Sequence, residues 1–451
     1  MGNDGIKSRA VFASKFAAVA TTVGSAVGLG NIWRFPYEAG EHGGGAFVLC
    51  YVGFVLLIGV PVLYSEFFIG NVTGSNVFGA YRKLAPRGKW QIAGYLGIAA
   101  SLMILSFYSV VAAWTLEYCV ASAFGQLDFS GAEQVQFESL TTGWRPVVWT
   151  VIFLVVNTLI LLRGVTKGIE RASNIMMPVL FVLLVAFCIN SVTLPGFKEG
   201  VTFLFHPDFS AITPGVLLGA MGQAFFSLSL GLGCMMTYAS YFKKGTNLGK
   251  TAISTALLDT AVAVLAGVII FPAVFSYGIS PQAGPTLVFE VLPAIFTQLP
   301  GGYVWSTLFF LLLFLASLTS TMSMSEISIS FFCDEKGMSR RRATLLSSAI
   351  ALAGGLLCAL SFGPLSHFTI AGMTLFNLFD YVASNVFLPV GGFVVAVFTG
   401  WVVNRQYLSQ HFSIYGSKGP MLMNVLLLFL RWVCPAAIFI IFLNSIGLLN
   451  I

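Results

Sequence analysis

Charge is what this sequence has least of. Only 9% of its 451 residues are charged, against roughly 25% in a soluble domain. A soluble fold could not wet its surface with so few charges, so the solvent that fits this composition is a bilayer. Histidine is scarce too. The four, at 42, 206, 367 and 411, fall in or near loops with no ligand spacing. Neither H-E-x-x-H nor G-x-x-x-x-G-K-[ST] occurs, which argues against an intramembrane enzyme or an ATP-driven pump. The chain is therefore not expected to be an enzyme. Its seven cysteines form no C-x-x-C pair and read as small buried hydrophobes. The opening MGNDGIKSRAVF lacks the basic, apolar and cleavage regions of a signal peptide, so the first apolar run is expected to serve as its own insertion signal. The net charge of +6 comes with no basic face and no base-reading element, which excludes a nucleic-acid partner.

What is abundant is apolar. Hydrophobic residues make up 57% of the chain, with 42 Phe and 47 Gly. Runs of about 20 apolar residues cross the hydrocarbon core as helices. Eleven such spans are expected, at 11–38, 44–72, 90–124, 146–162, 170–191, 213–239, 249–277, 301–333, 342–362, 366–400 and 421–447. With the N-terminus in the cytoplasm, nineteen of the 23 Lys and Arg lie in cytoplasmic segments. Only Arg145 and Lys198 lie outside, and Arg34 and Arg431 fall within spans. This asymmetry is a strong orientation signal, and eleven spans then leave the C-terminus outside. The expected location is the inner (plasma) membrane, multi-pass, with the lipid bilayer as a partner. Two outside loops, 191–212 and 278–300, are rich in Pro, Gly and aromatics, and read equally as lids or as passive connectors.

The first span contains GSAVGLGN at 24–31, three Gly in seven residues followed by Asn, a poor continuation for a helix. Two readings are open there. Gly24 and Gly28 allow close helix packing; or the helix unwinds and offers backbone groups to a ligand. The sixth span decides between them. SLSLGLG at 227–233 also interrupts a span near its middle. Two broken helices, one opening each half, point to an inverted-repeat transporter. Five spans per half force opposite orientations of the halves. The expected fold is all-α, with a first five-helix repeat at 11–200, a second, inverted one at 213–400, and an eleventh helix at 421–447, all in one membrane domain covering 1–451.

GSAVGLGNIWRFPY (24–37), GGGAF (43–47), FFSLSLGLG (225–233), TYASY (237–241) and LTS (318–320) together resemble the neurotransmitter:sodium symporter family. The resemblance runs from about Arg9 to about residue 447, and is to the shorter bacterial members with eleven helices. It implies a leucine-transporter-like 5+5 inverted repeat, sodium-coupled symport of an amino acid by alternating access, and two sodium sites. The first site would use the carbonyl of Ala26 with Asn31, Ser227 and Asp259. These are hard oxygen donors, as a small cation needs. Asp259 departs from the leucine-transporting relative, which has Asn; its charge could replace the chloride that animal relatives need, so chloride independence is expected. The other reading of Asp259 is a protonated acid hydrogen-bonded within the bundle. The second site would use the carbonyls of Gly24, Val27 and Ala316 with the hydroxyls of Thr319 and Ser320.

By the same resemblance the amino acid would meet the backbone near Ala26, Leu29 and Gly30, the Tyr108 hydroxyl, and the Phe226, Ser227 and Ser229 region. Ile104, Tyr108, Phe226, Leu232, Ser320 and Met324 would shape the side-chain pocket. Monoamine relatives carry Asp where this chain has Gly28, so Gly28 implies a substrate that brings its own carboxylate. The walls imply a hydrophobic or aromatic side chain. Outside, Arg34 would pair with Asp380; inside, Arg9 would pair with Asp334, with Phe12 and Tyr241 nearby. Glu66 resembles a family Glu that bonds the unwound part of the sixth helix. Glu326 reads as a proton-linked group or as a buried hydrogen-bonded acid. A non-transporting amino-acid sensor on the same scaffold is the alternative function.

Overall fold

A computed structural model describes residues 10–127, 133–281, 288–297 and 301–449. Among them, eight helices are long and apolar enough to cross a membrane, or nine when the pair Lys15–Ala26 and Gly30–Glu41, bent by 53°, is taken as one span. Two shorter segments complete the ladder of eleven: Arg145–Leu161 and the interrupted pair Pro214–Ser227 and Cys234–Ala239. In chain order, span 1 is the bent pair, span 2 is Gly45–Thr73, span 3 Gln91–Ala123, span 4 Arg145–Leu161 and span 5 Val165–Val192. Span 6 is the interrupted pair, span 7 Leu248–Ser276, span 8 Gly302–Lys336, span 9 Arg340–Leu360 and span 10 Leu375–Val402. Span 11 occupies the end of Arg405–Ser445, which a short helix at Arg405–Phe412 opens.

Local chemistry sets the ends. Ser14, Thr213, Asn247, Ser339 and Thr374 each accept a backbone amide three residues on and so cap spans 1, 6, 7, 9 and 10. Gly74 and Gly337 close spans 2 and 8 in the left-handed conformation. Span 10 starts later than the apolar run beginning at 366. Thr369–Ile370 and Met373–Thr374 pair as a two-stranded hairpin instead, and the tight turn takes Ala371 and Gly372 to positive φ. Hydrophobicity alone carries no sign of such a turn. The loop at 191–212 holds a helix, Phe197–Phe205, packed on span 7. Of the loop at 278–300, the described part includes the helix Val291–Thr297; 282–287 and 298–300 lie outside the described residues.

Span 8 packs along span 3, and the first half of span 1 packs on spans 5, 7 and 8. Span 8 carries an unusual density of hydroxyls for a buried helix. Thr321, Ser323, Ser325 and Ser328 satisfy them by bonding carbonyls three or four residues back, at 2.7–3.0 Å. Their small size lets neighbouring helices approach closely. The apolar residues left outside, such as Val182 and Ile189 on span 5, at 67% and 65% exposure, are those a hydrocarbon phase would cover. The architecture is a helical membrane protein of two five-span repeats, each opened by a broken span, plus an eleventh.

Candidate functional site

The two breaks meet at the centre of the bundle. In span 1 the helix stops at Ala26, Val27 turns extended (φ −65°, ψ 117°), and helical geometry resumes at Gly30. In span 6 the segment 228–233 leaves the helix, with Ser229, Gly231 and Gly233 at φ of 52°, 85° and 82°. Two polar side chains hold these segments in place. Glu66, fully buried on span 2, accepts from the Gly231 amide at 2.7 Å and the Met236 amide at 3.3 Å. Gln223 Nε2 donates to the Gly30 carbonyl at 2.8 Å and so ties span 6 to span 1. A buried acid survives here because it answers amides that the break left without helical partners.

A cavity lies between the breaks. Its lining is Ala26, Gly28, Gly30, Ile104, Tyr108, Phe226, Ser227, Ser229, Leu232, Ser320, Met324 and Leu388. Every side-chain and backbone candidate for the substrate lies on this wall except Leu29. The Leu29 amide instead donates to Tyr108 Oη at 2.9 Å, just behind it. Leu388, from span 10, is a wall residue that the sequence did not single out. The space exists because of a glycine: a Cβ on Gly28 would stand 2.6 Å from Ser320 Oγ and 2.8 Å from Tyr108 Oη. One end of the cavity is polar, formed by the opened backbone, Tyr108 and Ser320. The rest is aliphatic and aromatic but for Ser227 and Ser229. A separate groove of about 620 Å³, between spans 2, 7 and 11, shares no residue with this cavity.

Against one side of the cavity stand Asn31, Ser227 and Asp259, all buried. Asn31 Nδ2 donates to Asp259 Oδ1 at 2.8 Å and to Ser227 Oγ at 2.9 Å. Ser227 Oγ donates to Asp259 Oδ2 at 2.5 Å, and Tyr51 Oη donates to Ser227 at 3.2 Å. One carboxylate among neutral oxygens is a donor set for a hard monovalent cation. Among the described residues no cluster of three or more His, Cys, Asp or Glu exists for a transition metal. Asn31 Oδ1 accepts from the Gly28 amide at 3.0 Å, which orients the amide nitrogen toward Ser227 and Asp259.

A second polar cluster joins spans 1 and 8. Ser320 Oγ donates to the Val27 carbonyl at 3.1 Å. Thr319 Oγ1 donates to the Ala316 carbonyl at 2.9 Å. Gly24 faces Thr319, whose Cβ would lie 3.4 Å from a Cβ built there. Gly24, Val27, Ala316, Thr319 and Ser320 thus form one patch of carbonyls and hydroxyls without a formal charge.

At the Arg34 end the charged residues are arranged differently from the sequence expectation. Arg34 forms no ion pair with Asp380. Its Nε pairs with Glu38 Oε1 at 3.3 Å, and its guanidinium lies 4.6 Å from the centre of the Phe226 ring. Asp380 instead accepts from Ser384 Oγ at 2.8 Å on its own span. The reason is proximity: Glu38 sits one helical turn from Arg34, whereas Asp380 belongs to another span. At the opposite end, Arg9 lies outside the described residues, and Asp334 accepts from Asn76 Nδ2 at 3.1 Å. Phe12 is buried there against Tyr238, Tyr241 and Phe242, and its amide donates to the Tyr241 carbonyl. Tyr241 Oη donates to Glu326 at 2.7 Å, and Arg340 grips both Glu326 oxygens at 2.6 Å. Glu326 is therefore an ion-paired acid. Its partner was hidden in a run of three arginines that reads as an ordinary solvated end. Gln223 was missed as well, although an amide inside an apolar span is itself a signal.

Broken helices around a central cavity, with oxygen donors beside it, are the architecture of a membrane transporter. A profile of the sodium:neurotransmitter symporter family matches residues 9–142 and 136–450, and the chain belongs to that family. It is similar to the uncharacterized sodium-dependent transporter YhdH of Bacillus subtilis (strain 168), 41% identical over 97% of this chain and 98% of that protein. It is 26% identical to the sodium-dependent serotonin transporter of Drosophila melanogaster, over 98% of this chain and 77% of the relative. Among solved structures, that of MhsT in complex with L-phenylalanine matches with a TM-score of 0.89 and 44% identity, covering 97% of this chain and all of that one. The protein is thus a sodium-dependent, multi-pass membrane transporter with a leucine-transporter-like fold.

Proposed function

We propose that this chain takes up a hydrophobic or aromatic amino acid together with sodium, by alternating access. One observation carries the reading. The central cavity has a polar end of opened backbone and Tyr108 Oη, apolar walls of Ile104, Phe226, Leu232, Met324 and Leu388, and the Asn31–Ser227–Asp259 cluster alongside. An amino acid's carboxylate belongs at the polar end, where Tyr108 and the amides near Leu29 and Gly30 can donate to it. Its amine would meet carbonyls of the span 6 break around Phe226 and Ser229. The side chain then fills the apolar part. The binding of L-phenylalanine by the structural neighbour MhsT supports this choice of substrate.

Two sodium ions fit the two oxygen clusters. The first would take Asn31, Ser227, Asp259 and the Ala26 carbonyl, with the substrate carboxylate completing its shell. The second would take the carbonyls of Gly24, Val27 and Ala316 with Thr319 and Ser320. Sharing a ligand between ion and substrate makes each bind better in the presence of the other. Asp259 supplies the negative charge beside the first ion, so transport needs no chloride. The Arg34 end is outside and the Phe12 end cytoplasmic, from the Lys and Arg asymmetry. The C-terminus is extracytoplasmic. The repeats run over 11–200 and 213–400, with helix 11 at 421–447, in one domain of residues 1–451.

The test is uptake of labelled L-phenylalanine into proteoliposomes, with and without an inward sodium gradient, in chloride and in gluconate. Accumulation that requires sodium and ignores chloride supports the reading. Sodium-dependent binding without accumulation would make the protein a sensor. Binding equal in potassium and in sodium would remove the coupling altogether.

A further inference from the structure

The pairing of Arg34 with Glu38 has a mechanical consequence. Arg34 stands over Phe226, a wall of the substrate cavity, at 4.6 Å. Arg34, Phe226 and Ser384 also line one small cavity of about 50 Å³ on the far side of that ring. Ser384 donates to Asp380, so the Asp380 carboxylate belongs to the same neighbourhood. A guanidinium carries five donors. Arg34 commits only Nε to Glu38, and its two terminal nitrogens make no hydrogen bond to a described residue. His42 Nδ1 bonds the Glu38 backbone carbonyl at 2.9 Å and lies 3.4 Å from the other oxygen of its carboxylate. Arg34, Glu38 and His42 recur every four residues, so the three form a stripe along one face of the helix Phe35–Glu41 and its flanks.

We infer that Glu38 is a positioning residue for the outer gate: it competes with Asp380 for Arg34, and closing over Phe226 is an exchange of carboxylates by that arginine. The inference rests on the proposed reading in which the Arg34 end is the outer gate. A bare arginine at this depth would be costly to leave without a partner. Glu38 keeps it paired while the contact to span 10 is absent. The same pairing weakens the drive to close, because Asp380 gains the guanidinium only as Glu38 gives it up.

The experiment reads the gate directly and needs no identified substrate. Asn385 lines the small cavity beside Arg34, so Asn385→Cys reports access from outside to a membrane-impermeant thiol reagent. The rate is measured in the full-length protein in sodium, with the chain lacking that substitution as the blank for its own cysteines. Glu38→Gln is expected to slow labelling by about fivefold, the loss of one competing exposed-to-half-buried ion pair. In an Asp380→Asn background the same substitution is expected to change nothing. Release of bound labelled L-phenylalanine is measured in the same four proteins and is expected to slow in parallel. Glu38→Gln acting equally in both backgrounds, or speeding labelling, would overturn the exchange and leave Glu38 a structural residue. If labelling follows the expected pattern while no phenylalanine binds, the exchange stands and the substrate assignment fails.

Discussion

Glu66 and Gly231 face each other across spans 2 and 6, with the carboxylate 2.7 Å from the glycine amide. Gly231 itself cannot carry a side chain. Its φ is 85°, and a Cβ there would lie 2.5 Å from the Leu388 carbonyl and the Gly392 amide of span 10. The break in span 6 is thus clamped between an acid and a neighbouring backbone. Glu66→Ala strands two amides in a dry interior, at a cost of about 1–3 kcal/mol each. Thermal unfolding in detergent is expected to show a lower midpoint, with Glu66→Gln intermediate because its carbonyl oxygen still accepts one amide.

Among the described residues, Asp259 is the one carboxylate in the Asn31–Ser227–Asp259 cluster beside the central cavity. Asp259→Asn keeps the size and one acceptor oxygen for Asn31 or Ser227, replaces the other oxygen with a donor and removes the charge. Apparent sodium affinity is expected to fall about tenfold, which is about 1.4 kcal/mol. Chloride is expected to restore part of it. Sodium titration of phenylalanine binding in chloride and in gluconate tests both points. An unchanged titration would remove Asp259 from the first ion site.

Gly28 leaves the room in which the polar end of a substrate would sit. Gly28→Ala is expected to weaken binding by more than about tenfold, because the new methyl would collide with Ser320 Oγ and Tyr108 Oη. Folding is expected to survive, as the collision involves a cavity and two side chains with no close backbone. Competition binding together with size-exclusion profiles separates the two effects.

Glu326 and Arg340 form a bidentate pair in which the acid is fully buried and the arginine about a quarter exposed. Arg340→Met leaves a buried carboxylate with only the Tyr241 hydroxyl, which is expected to destabilise by about 3–5 kcal/mol. Replacing both, with Glu326→Met and Arg340→Met, is expected to recover most of that stability. A double-mutant cycle on thermal unfolding measures the difference. Equal loss in the single and double variants would show that packing and not the unpaired charge sets the cost.

The broken helices could be read from the chain alone, since GSAVGLGN and SLSLGLG place several glycines in the middle of apolar runs. Hydrophobicity and composition are properties of short segments, so span number followed as well. The wall residue Leu388 could not be read in this way. It looks like any apolar residue of a span, and only the packing of span 10 on the Gly231 turn brings it to the cavity. Arg340 was similarly masked by Arg341 and Arg342, and the hairpin at Thr369–Thr374 by the apolar residues around it.

By itself, then, the order of residues determined the membrane class, the eleven spans and the two places where helix gives way. Each of these depends on local hydrophobicity and on how readily glycine leaves a helix. The three-dimensional packing decided that Leu388 reaches the cavity, that Arg340 meets Glu326 and how closely Asn31, Ser227 and Asp259 converge. Hydrogen bonds and ion pairs form only within about 3–4 Å, and that distance is set by how whole helices lie against one another.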